Sequence, residues 1–141
     1  MVKKALIVDD LPFDAELTRR VLESCKPAHD IVIVSDGEEA LRELEKAHDF
    51  DVVLLDLRLP KIDGFEVLKE LSSKPFLSGI PVVVLSNSRN EADRMRSQML
   101  GASEFVEKAL DFADFKTTLT RTLARHGLCC TRASVRGEPR S

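Results

Sequence analysis

The chain has 141 residues, enough for one compact domain with a buried core and too few for a second. It is 43% hydrophobic and 32% charged with a net charge of −3, which suits a globular fold and argues against a nucleic-acid-binding surface. Its apolar runs are too short to cross a membrane, and Met1-Val2-Lys3-Lys4 leads into a strand-like run rather than a signal peptide, so a cytoplasmic location is expected.

The first apolar run, residues 5–8 (Ala-Leu-Ile-Val), reads as a strand and ends in Asp9-Asp10. Pro12, tolerated in a first helical turn, opens a segment in which Leu17, Val21 and Leu22 recur at helical spacing. A second strand is expected over 31–34, then a turn at Asp36-Gly37 and a helix marked by Ala40, Leu41, Leu44 and Ala47. The third strand, 52–57, carries Asp56 near its end, and Val67, Leu68 and Leu71 mark the third helix. Residues 73–80 are expected to be a loop, because Pro75 and Gly79 interrupt regular structure. The fourth strand, 82–85, leads to Ser86; Ala92, Met95 and Met99 mark the fourth helix, and Gly101 suits its end. A short fifth strand at Phe105-Val106 precedes Lys108, and Phe112, Phe115, Leu119 and Leu123 mark the last helix.

The first four runs are nearly continuous Val, Ile and Leu, the pattern of strands covered on both faces. Strand–helix alternation repeated five times gives an α/β fold, a (βα)5 unit with a doubly wound parallel sheet. The domain is placed at residues 1–127, with a flexible tail over 128–141. The cysteines Cys25, Cys129 and Cys130 show no zinc spacing, and the adjacent pair makes poor disulfide partners, so reduced thiols are expected.

Function in such sheets gathers beyond the carboxyl ends of the strands. There the chain places Asp9 and Asp10 (strand one), Asp56 (three), Ser86 (four) and Lys108 (five). Carboxylates crowded together need a cation, and oxygen ligands of this kind suit Mg²⁺ or Mn²⁺. With no Gly-rich phosphate loop, the economical chemistry is an aspartyl phosphate, with Lys108 and Ser86 supplying a charge and a hydrogen bond. Duller readings exist for single residues. Asp10 could cap the first helix, Phe105 could be plain packing, and Phe13 could contact a partner or pack as a helix-start staple.

Asp9-Asp10, Asp56 after Val-Val-Leu-Leu, Leu59-Pro60-Lys61-Ile62-Asp63-Gly64, Ser86 and Lys108 resemble the receiver domain of two-component response regulators across about residues 3–125. The resemblance implies a flavodoxin-like sheet of order 2-1-3-4-5. It implies Asp56 as phosphoacceptor for a sensor histidine kinase. Asp9, Asp10, Asp56 and the backbone carbonyl of Arg58 would be the metal ligands, with Ser86 and Phe105 as switch residues. Such a protein is a signalling phosphoacceptor rather than an enzyme in the ordinary sense.

Most receivers follow the strand-five lysine with proline, often through a cis bond; here Ala109 follows Lys108, and a trans peptide is expected because a non-proline cis bond costs about 2.5–4 kcal/mol. Phe105 also lacks the hydroxyl of the frequent tyrosine. These departures, with the Ser86–Glu91 stretch Ser-Asn-Ser-Arg-Asn-Glu, are similar to short regulators associated with bacterial phytochromes, some of which pair as homodimers.

Rival chemistries fit less well. A haloacid-dehalogenase-type phosphatase needs Asp-x-Asp, whereas the chain reads Asp56-Leu57-Arg58; a flavodoxin-like cofactor binder needs a Ser/Thr/Gly-rich phosphate loop after strand one, where Asp9-Asp10-Leu11-Pro12 would repel the phosphate. A receiver-like adaptor or dimerisation module that is never phosphorylated is the main alternative. Few residues follow the last helix, so a stand-alone regulator is expected, with output through a downstream protein, a phosphotransfer partner or a second copy rather than through DNA.

Overall fold

Each apolar run forms a strand of one parallel sheet: β1 (Lys3–Val8), β2 (His29–Val34), β3 (Val52–Asp56), β4 (Val82–Ser86) and β5 (Glu104–Glu107). Between and after them come α1 (Pro12–Glu23), α2 (Gly37–Lys46), α3 (Gly64–Ser73), α4 (Glu91–Met99) and α5 (Phe112–Arg125). The sheet order is β2-β1-β3-β4-β5, the one the resemblance implies. The computed structural model describes residues 2–47, 49–75, 77–108 and 111–130. The expected trans peptide between Lys108 and Ala109, and residues 131–141, lie outside the described residues.

Side chains alternate between the faces of a strand, so a run apolar at every position needs cover on both. Ala5, Ile7, Val52, Leu54, Val83 and Leu85 pack with Val21, Leu22, Phe115, Leu119 and Leu123 of α1 and α5. Their neighbours Leu6, Val8, Val53, Leu55, Val82 and Val84 pack against Leu44 of α2 and Val67, Leu68 and Leu71 of α3. The registers Val8↔Leu55, Asp56↔Leu85 and Ser86↔Glu107 bring the carboxyl ends of the central strands level. That alignment gathers the residues that follow the strands along one edge.

Helix starts are fixed locally. Asp36, Asp63, Asn90 and Asp111 each accept a hydrogen bond from a backbone N–H in the first turn of α2, α3, α4 and α5. Asp36-Gly37 is thus a helix start, not a free turn. Asp10 is not a cap: Leu11 occupies the N-cap of α1 without a side-chain bond, and Pro12 lacks a donor that would need one. Gly101 follows α4 at φ 108°, the left-handed conformation glycine adopts without steric cost.

Three expectations are corrected. Met95 and Met99 do not mark the buried face of α4; they are 55% and 85% exposed. The inward position is Ser97, whose Oγ donates to the Arg94 carbonyl at 2.9 Å and so packs without an unpaired polar group. The tail expected from residue 128 does not start there. Leu128 and Cys129 are buried against the α1–α5 side of the core, and the Cys130 N–H donates to the Lys26 carbonyl at 2.7 Å. Cys129 is joined to Cys25 by a disulfide, with Cα atoms 4.8 Å apart, so these two thiols are not reduced; Cys130 is free and exposed. Sequence neighbours cannot pair readily, but the fold brings together residues 104 positions apart.

Candidate functional site

The site forms where β1, β3, β4 and β5 end. The Asp9 N–H donates to the Val34 carbonyl at 3.1 Å, extending the β1–β2 ladder, while its Oδ1 accepts the Leu11 N–H at 3.0 Å. These bonds leave Asp9 Oδ2 facing Lys108 Nζ at 2.9 Å. Asp56 closes β3, and its Oδ1 accepts the Arg58 N–H at 3.2 Å. Behind it, Gly64 donates its N–H to the Leu57 carbonyl at 3.0 Å, and a Cβ there would lie 2.6 Å from both the Asp56 carbonyl oxygen and Leu57 Cα. The glycine of the Asp63-Gly64 pair therefore lets α3 start directly against the Asp56 backbone.

Carboxylate oxygens of Asp9, Asp10 and Asp56 lie within 4.8 Å of one another. Asp9 and Asp56 are buried and Asp10 is exposed, so the cluster opens to solvent on one side. Lys108 reaches over it from the end of β5, held in place because its N–H donates to the Ser86 carbonyl at 2.8 Å. Its Nζ is 3.5 Å from Asp56 Oδ2. Burial drives the Asp56 pKa up; Lys108 opposes this, Asp9 reinforces it, and the carboxyl ends at about 6 instead of the ordinary 3.8. Burial works against the Lys108 ammonium, but the attraction of Asp56 and Asp9 outweighs it and holds its pKa above the ordinary value.

Ser86 is buried at the end of β4, and its Oγ accepts the Ser88 N–H at 3.0 Å. Asp10, Leu11, Asp56, Arg58, Ser86, Asn87 and Ser88 line a cleft of about 520 Å³. Five sequence-selected residues, Asp9, Asp10, Asp56, Ser86 and Lys108, thus share one neighbourhood. Phe105 lies elsewhere: it pairs with Val84 in the sheet and is half-buried, with the Arg94 guanidinium 4.8 Å from its ring centroid. Phe13 is 72% exposed, which disfavours the staple reading.

Three residues escaped the sequence reading. Asp14 Oδ2 accepts from Lys108 Nζ at 3.0 Å. Ser88 Oγ donates to Asp93 Oδ2 at 2.9 Å, and the same carboxylate oxygen lies 3.7 Å from the Arg58 guanidinium, linking the Asp56 loop to α4. Asp14 had one signal, its position one helical turn beyond Asp10; Ser88 and Asp93 had none beyond lying near Ser86.

The donor set fits a hard divalent cation. Three carboxylates converge on one open point, two of them buried, and a single ammonium cannot neutralise them all.

The sequence matches the response regulator receiver domain over residues 5–120. Response regulator Rcp1 of Synechocystis sp. is 36% identical over 118 residues, covering 79% of this chain and 80% of Rcp1. The crystal structure of the phosphorylated cyanobacterial phytochrome response regulator RcpA superposes with a TM-score of 0.82 at 36% identity, covering 87% of this chain and 92% of RcpA. The Mn²⁺-bound form of response regulator Rcp1 gives 0.79 at 34% identity, covering 86% and 92%. Several other curated relatives are longer, and the chain spans about half of their length. No helix among the described residues is long and apolar enough to cross a membrane.

Proposed function

Because the chain belongs to the response regulator receiver family, we propose that it accepts a phosphoryl group on Asp56 from the phosphohistidine of a sensor histidine kinase and works as a stand-alone cytoplasmic regulator. The observation that carries this reading is the Lys108 ammonium between Asp9 and Asp56, at 2.9 and 3.5 Å, beside an open acidic cluster. A surface lysine or a turn aspartate would not require that company.

An Asp56 carboxylate oxygen attacks phosphorus; the new P–O bond forms as the P–N bond breaks, and that bond's electron pair returns to the donor imidazole. Lys108 meets the charge gathered on the phosphoryl oxygens. Ser86 Oγ accepts from the Ser88 N–H and keeps its own proton to donate to one of those oxygens. Asp9, Asp10, Asp56 and the Arg58 carbonyl would hold Mg²⁺ or Mn²⁺, which when bound neutralises the carboxylates and polarises the phosphoryl oxygens. The Mn²⁺-bound relative supports this choice of metal.

The same reading makes a phytochrome-type kinase the input, since RcpA is a phytochrome response regulator. The output is a protein contact: a downstream protein, a phosphotransfer partner or a second copy. The protein catalyses only its own phosphorylation and slow dephosphorylation. Phe105, packed under Arg94 of α4, is the residue through which a shift at Ser86 would reach the α4–β5 face. The test is Mg²⁺-dependent labelling by acetyl phosphate, wild type against Asp56→Asn. Label on the wild type alone is expected. Equal labelling would remove Asp56 as acceptor, and no labelling of either, even by a cognate kinase, would favour the unphosphorylated adaptor.

A further inference from the structure

Asp14 belongs neither to the acidic cluster nor to the acceptor, yet its Oδ2 lies 3.0 Å from Lys108 Nζ, nearly as close as Asp9 at 2.9 Å and closer than Asp56 at 3.5 Å. We propose that Asp14 is a positioning residue that holds the Lys108 ammonium back from Asp56 and thereby limits how fast, and for how long, Asp56 carries a phosphoryl group. The proposal rests on the phosphoacceptor reading above.

The contact is built to persist. Asp14 sits in the first turn of α1, where its carbonyl accepts Thr18 Oγ at 3.1 Å, and α1 is seated on the sheet by buried Ala15, Thr18, Val21 and Leu22. Lys108 is anchored at the end of β5, so the pair ties together elements 94 residues apart. The Lys108 side chain is 9% exposed and that of Asp14 24%, so water screens the pair only partly.

An ammonium has three protons, and three carboxylates share this one. When the bond from phosphorus to Asp56 forms and the bond to the donor breaks, the phosphoryl oxygens bring negative charge to the Asp56 side of Lys108. To meet that charge the ammonium must lengthen its contact with Asp14. Asp14 does not join the metal-binding cluster, so its charge opposes the shift without assisting the metal. Asp14→Asn keeps the shape and one acceptor oxygen but removes the charge, releasing Lys108 towards Asp9 and Asp56.

The test compares wild type, Asp14→Asn and Asp14→Glu for the rates of Mg²⁺-dependent labelling by acetyl phosphate and of loss of the label. Asp14→Asn should label about threefold to tenfold faster and lose the label more slowly, by the strength of a partly buried charged hydrogen bond. Asp14→Glu should return towards wild type. Equal or slower labelling of Asp14→Asn overturns the proposal. A second readout needs no phosphorylation: nitrogen-15 NMR of the Lys108 ammonium should show faster proton exchange in Asp14→Asn, restored in Asp14→Glu. Unchanged exchange also overturns the restraint. If the wild type fails to label at all, the phosphoacceptor reading fails, while the NMR result still decides whether Asp14 restrains Lys108.

Discussion

Replacing Asp56 with asparagine should make the metal-free protein more stable near pH 7, although it removes the group on which the proposed function depends. Burial, helped by Asp9 and opposed by Lys108, lifts the Asp56 pKa from 3.8 to about 6. The folded protein therefore keeps a proton that the unfolded chain has released between those two values, and stability falls as pH rises through that window. At about 1.4 kcal/mol per pH unit, ionising Asp56 costs the fold about 3 kcal/mol by pH 7, and solvent in the open cleft brings the expected gain in Asp56→Asn to about 1–3 kcal/mol. Urea denaturation with a chelator present, at steps from pH 4.5 to 7.5, is the assay. The advantage of the variant should be small at the acid end, grow to about pH 6 and then level off. Mg²⁺ should narrow it, because binding to the folded wild type raises that protein's stability by mass action. A variant no more stable than wild type at pH 7, or a gain independent of pH, would refute the claim that Asp56 is strained by burial.

Gly64→Ala should destabilise the fold by about 2 kcal/mol or more, read by thermal melting, because the added methyl would meet backbone at 2.6 Å rather than a flexible side chain. Reducing the Cys25–Cys129 disulfide, which joins residues 104 positions apart, should lower stability by about 2–4 kcal/mol in urea, and Cys129→Ser should show the same loss and no further response to reductant.

The sheet was legible because parallel strands covered on both faces must be apolar at every position, as 52–55 and 82–85 are. The strand ends were legible for the same reason: the first polar residue at the carboxyl end of each run marks the edge, which picked out Asp9, Asp56 and Ser86. The fourth helix was misread because periodicity counts apolar residues. Ser97 packs inward by bonding to its own turn, while Met95 and Met99 stay outside. Asp14 is an acidic residue at a helix start, a position favoured by the helix dipole whatever its distant partner. The Cys25–Cys129 pairing and the packing of Leu128 depend on how the end of α5 returns to the end of α1, a tertiary relation without local signal.

The central claim is that Asp56 is the residue that takes the phosphoryl group, and reductive trapping tests it most directly. Borohydride reduction of the acetyl phosphate-treated, Mg²⁺-bound protein converts an acyl phosphate to the alcohol, turning aspartate into homoserine, which peptide mass spectrometry locates. Homoserine at position 56, and at neither 9 nor 10, is the predicted result. Homoserine at position 9 or 10, or none in a protein that has taken up phosphate, would contradict the account.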